Sequence, residues 1–170
     1  MLRSLDPVLP SLPVLPEPLA IRRALIEDAA QLADLCGRAY VEEIWDTKST
    51  ELELFHDRTV KAVLLVTDKT QIASTASLQV HKGAPHSGQL RWIATEPDMR
   101  RQGLAKALVV RLLEIAKTEG CKEVYLKTTT DALGAIALYL NLGFKPMLNC
   151  DKERDIWSDV FRLLDSDPYF

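Results

Sequence analysis

Cysteine and histidine are scarce in this 170-residue chain, with three of each. Cys36, Cys121 and Cys150 lie far apart and form no C-x-x-C pair, and neither His56, His81 nor His86 stands at metal-ligand spacing from them. That argues against a structural zinc site and against a disulfide framework, and makes a reducing cytoplasm the simplest setting. Counting alone leaves a cysteine nucleophile open, although buried inert thiols are the commoner case. No uninterrupted apolar run approaches the roughly 18 residues that a membrane-spanning helix needs, so no membrane association is expected. A large charge of one sign is also missing. With 21 basic against 24 acidic residues, net −3, the chain has no electrostatic drive toward nucleic acid.

What is present is ordinary globular composition, 47% hydrophobic and 26% charged, which excludes a fully disordered or fibrous chain. A chain of this length buries roughly 70% of its unfolded surface, enough for one domain with a water-excluding core. Five of the nine prolines fall within Met1 to Pro18. Proline blocks both helix and sheet ladder, so residues 1–18 are expected to be an extended, partly mobile arm. Asp6, Pro7 and Pro10 interrupt any apolar stretch there that would read as a signal peptide. Residues 19–170 are expected to form a single domain.

Leu19 to Ala24 reads as a short strand. Apolar residues then recur at helical spacing through Ala29, Leu32, Ala33, Leu35, Cys36, Ala39, Tyr40 and Ile44. A weaker helical stretch follows at 50–60. Strands are expected at 61–67, 71–80 and 89–95, the last two separated by a Gly/Pro/His/Ser-rich loop. Leu104, Ala107, Leu108, Leu112, Ile115 and Ala116 form one apolar helical face, closed by Gly120. A strand at 123–129, a helix at 132–141, and a last strand entered through Leu142-Gly143-Phe144 come next. Ile156, Trp157, Val160, Phe161 and Leu164 then recur as a C-terminal helix. The fold class is mixed α/β.

The stretch from Glu96 to Lys106 joins a strand to a long helix. The first amides of such a helix have no intrahelical partner, and the helix dipole is positive there. Gly103 lacks a side chain and Ala105 has a small one, while Arg100, Arg101 and Lys106 add positive charge. Together these would make a pyrophosphate cradle. A plain strand-to-helix turn with solvated arginines has the same spacing. No Gly-Lys-Ser/Thr follows, so this is not a Walker loop. Only Gly103 of the three glycines of the dinucleotide fingerprint is present.

Arg100-Arg101-Gln102-Gly103-Leu104-Ala105 resembles the Arg/Gln-x-x-Gly-x-Gly/Ala signature of the GNAT N-acetyltransferases. Trp92-Ile93-Ala94-Thr95-Glu96-Pro97 resembles that family's preceding strand and its proline-containing exit. Ala135-Ile136-Ala137-Leu138-Tyr139-Leu140-Asn141-Leu142-Gly143-Phe144 resembles its Ala-Ile-x-Leu-Tyr-x-x-Leu-Gly-Phe block. The resemblance is clear over 71–148, extends back to 19, and fails for the arm and the end of the chain.

The resemblance implies a mostly antiparallel sheet flanked by helices, with a β-bulge and a splayed parallel strand pair. It implies an acyl-CoA-dependent N-acyltransferase that uses acetyl-CoA or another acyl-CoA and no metal. Transfer to a primary amine of a small molecule or peptide would be direct, in a ternary complex. It places the pyrophosphate on the amides around Arg101, Gln102, Gly103, Leu104, Ala105 and Lys106, with Arg100 alongside. It places the pantetheine arm on the backbone of Ile93, Ala94 and Thr95. Tyr139 is implied as the catalytic acid that protonates the departing thiolate. An aromatic packed between helix and sheet is the alternative for that residue.

Two departures stand out. Ala132, preceded by Asp131, occupies the place of a frequent asparagine. Lys127 occupies the place where ribosomal-protein N-terminal acetyltransferases often carry a glutamate base, so that mechanism does not transfer. A non-catalytic acyl-CoA-binding module is therefore the alternative function. The segment from Glu27 to Asp57 holds nine acids against only Arg38 and Lys48. Glu42, Glu43, Asp46 and His56, with Tyr40 and Trp45, are candidates to bind a cationic amine, against the plainer reading of a solvated acidic face. His81 and His86 read as solvated loop residues, and Trp92 and Trp157 as packing anchors. The C-terminal helix, replacing a final strand, leaves a sheet edge open for a partner subunit, so a homodimer is one expected arrangement.

Overall fold

The structure, a computed structural model, describes residues 1–6, 8–68 and 70–166. Pro7 of the arm and the last four residues lie outside the described set. Six strands form one sheet: β1 (Leu2–Ser4), β2 (Ala20–Arg23), β3 (Val60–Thr67), β4 (Ile72–Val80), β5 (Ser87–Thr95) and β6 (Glu123–Leu126). Their order is β1-β6-β5-β4-β3-β2, and every neighbouring pair is antiparallel except β5 with β6. The helices are α1 (Ala29–Ala39), α2 (Thr47–Glu51), α3 (Leu104–Thr118), α4 (Leu133–Asn141) and α5 (Asp151–Ser166).

Period-two alternation along the strands sends side chains to two different layers. Ala62, Leu64 and Val66 of β3 meet Leu104, Leu108 and Leu112 of α3, whereas Val63 and Leu65 meet Leu32 and Leu35 of α1. The sheet is therefore sandwiched, with α3 and α4 on one face and α1 and α2 on the other. Helix α5 packs on α4 through Ile136, Ala137, Val160 and Leu164.

The arm is not wholly free of the domain. Leu2–Ser4 pairs antiparallel with β6, in the register Leu2↔Tyr125, Arg3↔Val124, Ser4↔Glu123. The sheet edge expected to lie open is therefore covered by the chain's own first residues. The strand expected after Phe144 is reduced to a single bridge, Leu2↔Lys145, because β1 already occupies the ladder groups of β6 that it would have used. The helix expected over 50–60 begins earlier. Asp46 caps α2 by accepting from the Ser49 amide at 2.7 Å, and a π-helical turn, Leu52–His56, continues it.

Candidate active site

The parallel ladder between β5 and β6 runs only from Ser87↔Glu123 to Leu90↔Leu126. Beyond Leu126 the chain leaves the ladder, so the strand expected to reach Thr129 ends early and, among the described residues, 91–95 of β5 has no strand partner on that side. The splay begins there. On the other side of β5, Thr75 faces Ala94 and Ser77 faces Arg91, so Trp92 and Ile93 together oppose the single residue Ala76. This is a β-bulge, and Trp92 sits in it at φ 53°. As a result Arg91 and Trp92 project to the same face, with the guanidinium 4.4 Å above the indole ring.

Downstream, β5 leads through a short 3-10 turn, Pro97–Met99, into α3. The loop contains two left-handed residues, Arg101 at φ 64° and Gly103 at φ 79°, a kind of backbone that builds anion-holding concavities. Gly103 is the N-cap of α3 and carries no side chain to satisfy the amides that follow. A Cβ placed on it would meet no atom within 4 Å, so the space over the helix start is open. Leu104 is buried and anchors the helix, Ala105 is half-buried, and Arg100, Arg101, Gln102 and Lys106 are exposed around the turn. Arg100 Nε donates to the Thr95 carbonyl at 3.4 Å and ties the turn to the end of β5. Open amides, a bare Cα and surrounding cations fit a diphosphate.

Tyr139, on α4, is 6% exposed and packs edge-on against Phe144 at 5.9 Å. Its hydroxyl makes no hydrogen bond among the described residues, and burial pushes its pKa up to about 12. Tyr40, just past α1 on the opposite face, donates from its hydroxyl to the Ile93 carbonyl at 2.8 Å. Burial, followed by the nearby Tyr139 phenol, pushes the Tyr40 hydroxyl upward as well. Tyr40 thus reaches the bulge from the α1 side. Cys36 is buried and its thiol is pushed up to about 12, so it is protonated and inert.

The acidic segment is dispersed. Asp46 serves as a helix cap, and hydrogen bonding from Ser49, its backbone amide first, holds the Asp46 carboxyl below the usual range. Arg38 bridges Asp34 to Glu96, joining the end of α1 to the phosphate-side turn. Glu42, Glu43 and His56 are exposed. Trp45 packs edge-on with Trp92 at 4.7 Å, and Tyr40 with Trp92 at 5.2 Å. Trp92 is therefore an anchor, as expected, but one that belongs to the bulge. Trp157 packs on the core beside Phe161. His86 bonds Gly120 at 3.3 Å at the start of β5, roughly 15 Å of strand away from the bulge. Lys127 is exposed just past β6, and Ala132 caps α4 with no side-chain bond.

Sequence reasoning missed the buried polar stripe of β4. Ser74 Oγ donates to the Ala94 carbonyl at 2.8 Å and Ser77 Oγ to the Arg91 carbonyl at 3.0 Å. Gln79 accepts from Arg91 at 3.0 Å and donates to Asp57 at 3.1 Å. The period-two recurrence of Thr75, Ser77 and Gln79, with Ser74 beside it, was the available signal. A groove of about 530 Å³ lined by Arg3, Ser4, Lys145 and Asn149 lies at the outer edge of β1, away from this chemistry.

The human protein N-acetyltransferase 8 is 47% identical over 57 residues, covering 34% of this chain and 25% of that protein. The [ribosomal protein bS18]-alanine N-acetyltransferase of Escherichia coli is 33% identical over 75 residues, 44% of this chain and 51% of that one. The chain thus spans from a quarter to half of these curated relatives. The crystal structure of the Escherichia coli ribosomal-protein-S18-alanine N-acetyltransferase superposes with a TM-score of 0.65 at 26% identity, over 76% of this chain and 79% of that one. A putative acetyltransferase of Salmonella typhimurium, solved with acetyl-CoA, superposes with a TM-score of 0.66 at 20% identity, over 75% and 79%. The sequence pattern of the acetyltransferase (GNAT) family matches residues 26–144, well over half of the chain, and takes in the bulge, the splay, the uncapped helix and Tyr139. By that match this chain belongs to the GNAT acetyltransferase family.

Proposed function

We propose that the chain is an acyl-CoA-dependent N-acyltransferase that moves acetyl to a primary amine of a small molecule, peptide or protein, by direct transfer in a ternary complex. The observation that carries this reading is the continuity of two open features. The unpartnered edge of β5 beyond Leu90 runs within a few residues into the uncapped start of α3. Acetyl-CoA, when bound, supplies the activated thioester. The amides from Gly103 to Lys106 hold its pyrophosphate, with Arg100 and Arg101 supplying charge and Gln102 lining the turn. The backbone of Ile93, Ala94 and Thr95 pairs with the pantetheine arm as an added strand would. An N–H of that stretch faces the negative charge that develops on the acyl oxygen.

Tyr139 holds a proton at its hydroxyl oxygen for the departing thiolate. The phenol has no competing acceptor, and its raised pKa keeps the proton in place at neutral pH. Lys127 stands where a carboxylate base would be useful and takes no proton as an ammonium. The amine therefore enters neutral or sheds its proton to water. The exposed acids Glu42 and Glu43 favour a cationic acceptor approaching over α1.

The test is thermal stabilisation by acetyl-CoA, comparing wild type with Gly103→Glu. Binding to the native state alone raises stability by about 2.7 kcal/mol at a hundredfold excess over Kd. A shift in wild type that vanishes in the folded variant supports the reading. Absence of a shift in both removes it. Binding without turnover over a broad panel of small amines and peptide N termini would indicate the non-catalytic module that Lys127 and Ala132 favour.

A further inference from the structure

Trp92 is a bulky residue held at φ 53°, where Cβ crowds the backbone and the conformation is strained. Such strain persists only where the surroundings over-determine it. Three hydroxyls do so here. Ser77 Oγ donates to the Arg91 carbonyl at 3.0 Å, Tyr40 Oη to the Ile93 carbonyl at 2.8 Å, and Ser74 Oγ to the Ala94 carbonyl at 2.8 Å. The carbonyls on either side of the strained residue are thus bonded from two different elements, β4 and the end of α1. The Trp92 ring is held too, edge-on to Tyr40 and Trp45 and beneath the Arg91 guanidinium. The strained segment begins one residue past the last parallel pair, Leu90↔Leu126, where β5 loses its partner.

We propose that Tyr40, Ser77 and Ser74 form a hydroxyl clamp that keeps the Trp92 bulge in the conformation that presents the open edge of β5 to the acyl-pantetheine arm, with Tyr40 as its principal positioning residue. The inference rests on the acyl-CoA reading above and deepens it. The clamp explains why β4, a central strand buried along its whole length, carries serines at the two positions that reach the carbonyls of Arg91 and Ala94. Each hydroxyl bonds a carbonyl whose direction sets that of the next amide, since the peptide unit is planar. Without the clamp the bulge relaxes toward regular extended backbone, and the edge beyond the splay loses its register. The phosphate cradle is built on a separate loop and is unaffected.

That separation supplies the test. Tyr40→Phe removes the hydroxyl and keeps the ring on Trp92. Calorimetric titrations of the full chain use two probes, acetyl-CoA and its nucleotide half, 3′-phospho-ADP, which lacks the pantetheine arm. The clamp predicts that acetyl-CoA affinity falls about tenfold in Tyr40→Phe while 3′-phospho-ADP affinity changes by less than about twofold. Ser77→Ala should show the same selectivity with a smaller drop. Unchanged acetyl-CoA affinity in both folded variants overturns the clamp, and so does an equal loss for both probes, which reports general loosening. Failure of wild type to bind acetyl-CoA is a different result, and sinks the acyl-CoA reading together with the clamp that rests on it.

Discussion

The two faces of β4 are equally dry and chemically opposite. Toward α3 and α4 the strand presents Ala73, Ala76, Leu78 and Val80, with Ser74 the one polar residue among them, and toward α1 and α2 it presents Thr75, Ser77 and Gln79. The first face gains stability chiefly from apolar burial, at roughly 25 cal/mol per Å² removed from water. The second gains little from burial, because a buried hydroxyl or amide only breaks even when it is fully bonded. Its polar groups are committed to the backbones of β3 and β5 and to the side chains of Arg91 and Asp57, and Ser77 and Arg91 lie at the bulge where the chemistry is proposed. One face of the strand holds the domain together, and the other holds a conformation that the backbone would not keep unaided.

The contrast can be broken most strongly from the apolar side. Leu112 of α3 is fully buried, so Leu112→Ala should cost about 3 kcal/mol of unfolding free energy in denaturant titrations and leave acetyl-CoA affinity unchanged at temperatures where the fold is intact. Tyr139→Phe should do the reverse. Its rate with an active amine should fall about a hundredfold, with little change in melting temperature or acetyl-CoA affinity. The phenol stays protonated until the pH nears about 12, so the wild-type rate should show no alkaline fall from Tyr139 below that value. In the window between the ordinary tyrosine value, near about 10, and that raised value, the unfolded chain releases a proton that the native state keeps. Stability should therefore decline as pH rises through it. The smallest effect is expected from Gln79→Leu, about 1 kcal/mol despite complete burial, because its partners Asp57 and Arg91 are partly exposed and can turn to water. A cost near that of Leu112→Ala would mean that the polar face carries stability as well.

Much of the fold was legible from local patterning. Leu104, Leu108 and Leu112 announce α3 by their spacing, and the run from Ala62 to Val66 reads as a buried strand, which it is. The cradle was legible for a related reason: Gly103 and the cations of its turn are neighbours in sequence, and a helix start is a local structure. Other parts were less legible. Asp46, a candidate for an amine-binding surface, has its carboxylate capping α2, and the arm looked detached until Leu2–Ser4 was seen beside β6. The first depends on where a short helix starts, and the second on what faces the residues across the fold.

By itself, then, the sequence determined most of the elements and the uncapped glycine turn, since these follow from residue types at short, regular separations, and its motifs carried the resemblance to the family. Only the tertiary structure decided that Trp92 is strained, that Tyr40 crosses 53 positions to bond the Ile93 carbonyl, and that β5 and β6 part at Leu90. Those features arise where distant segments compete for the same backbone groups, and hydrophobic periodicity carries no record of which segment wins.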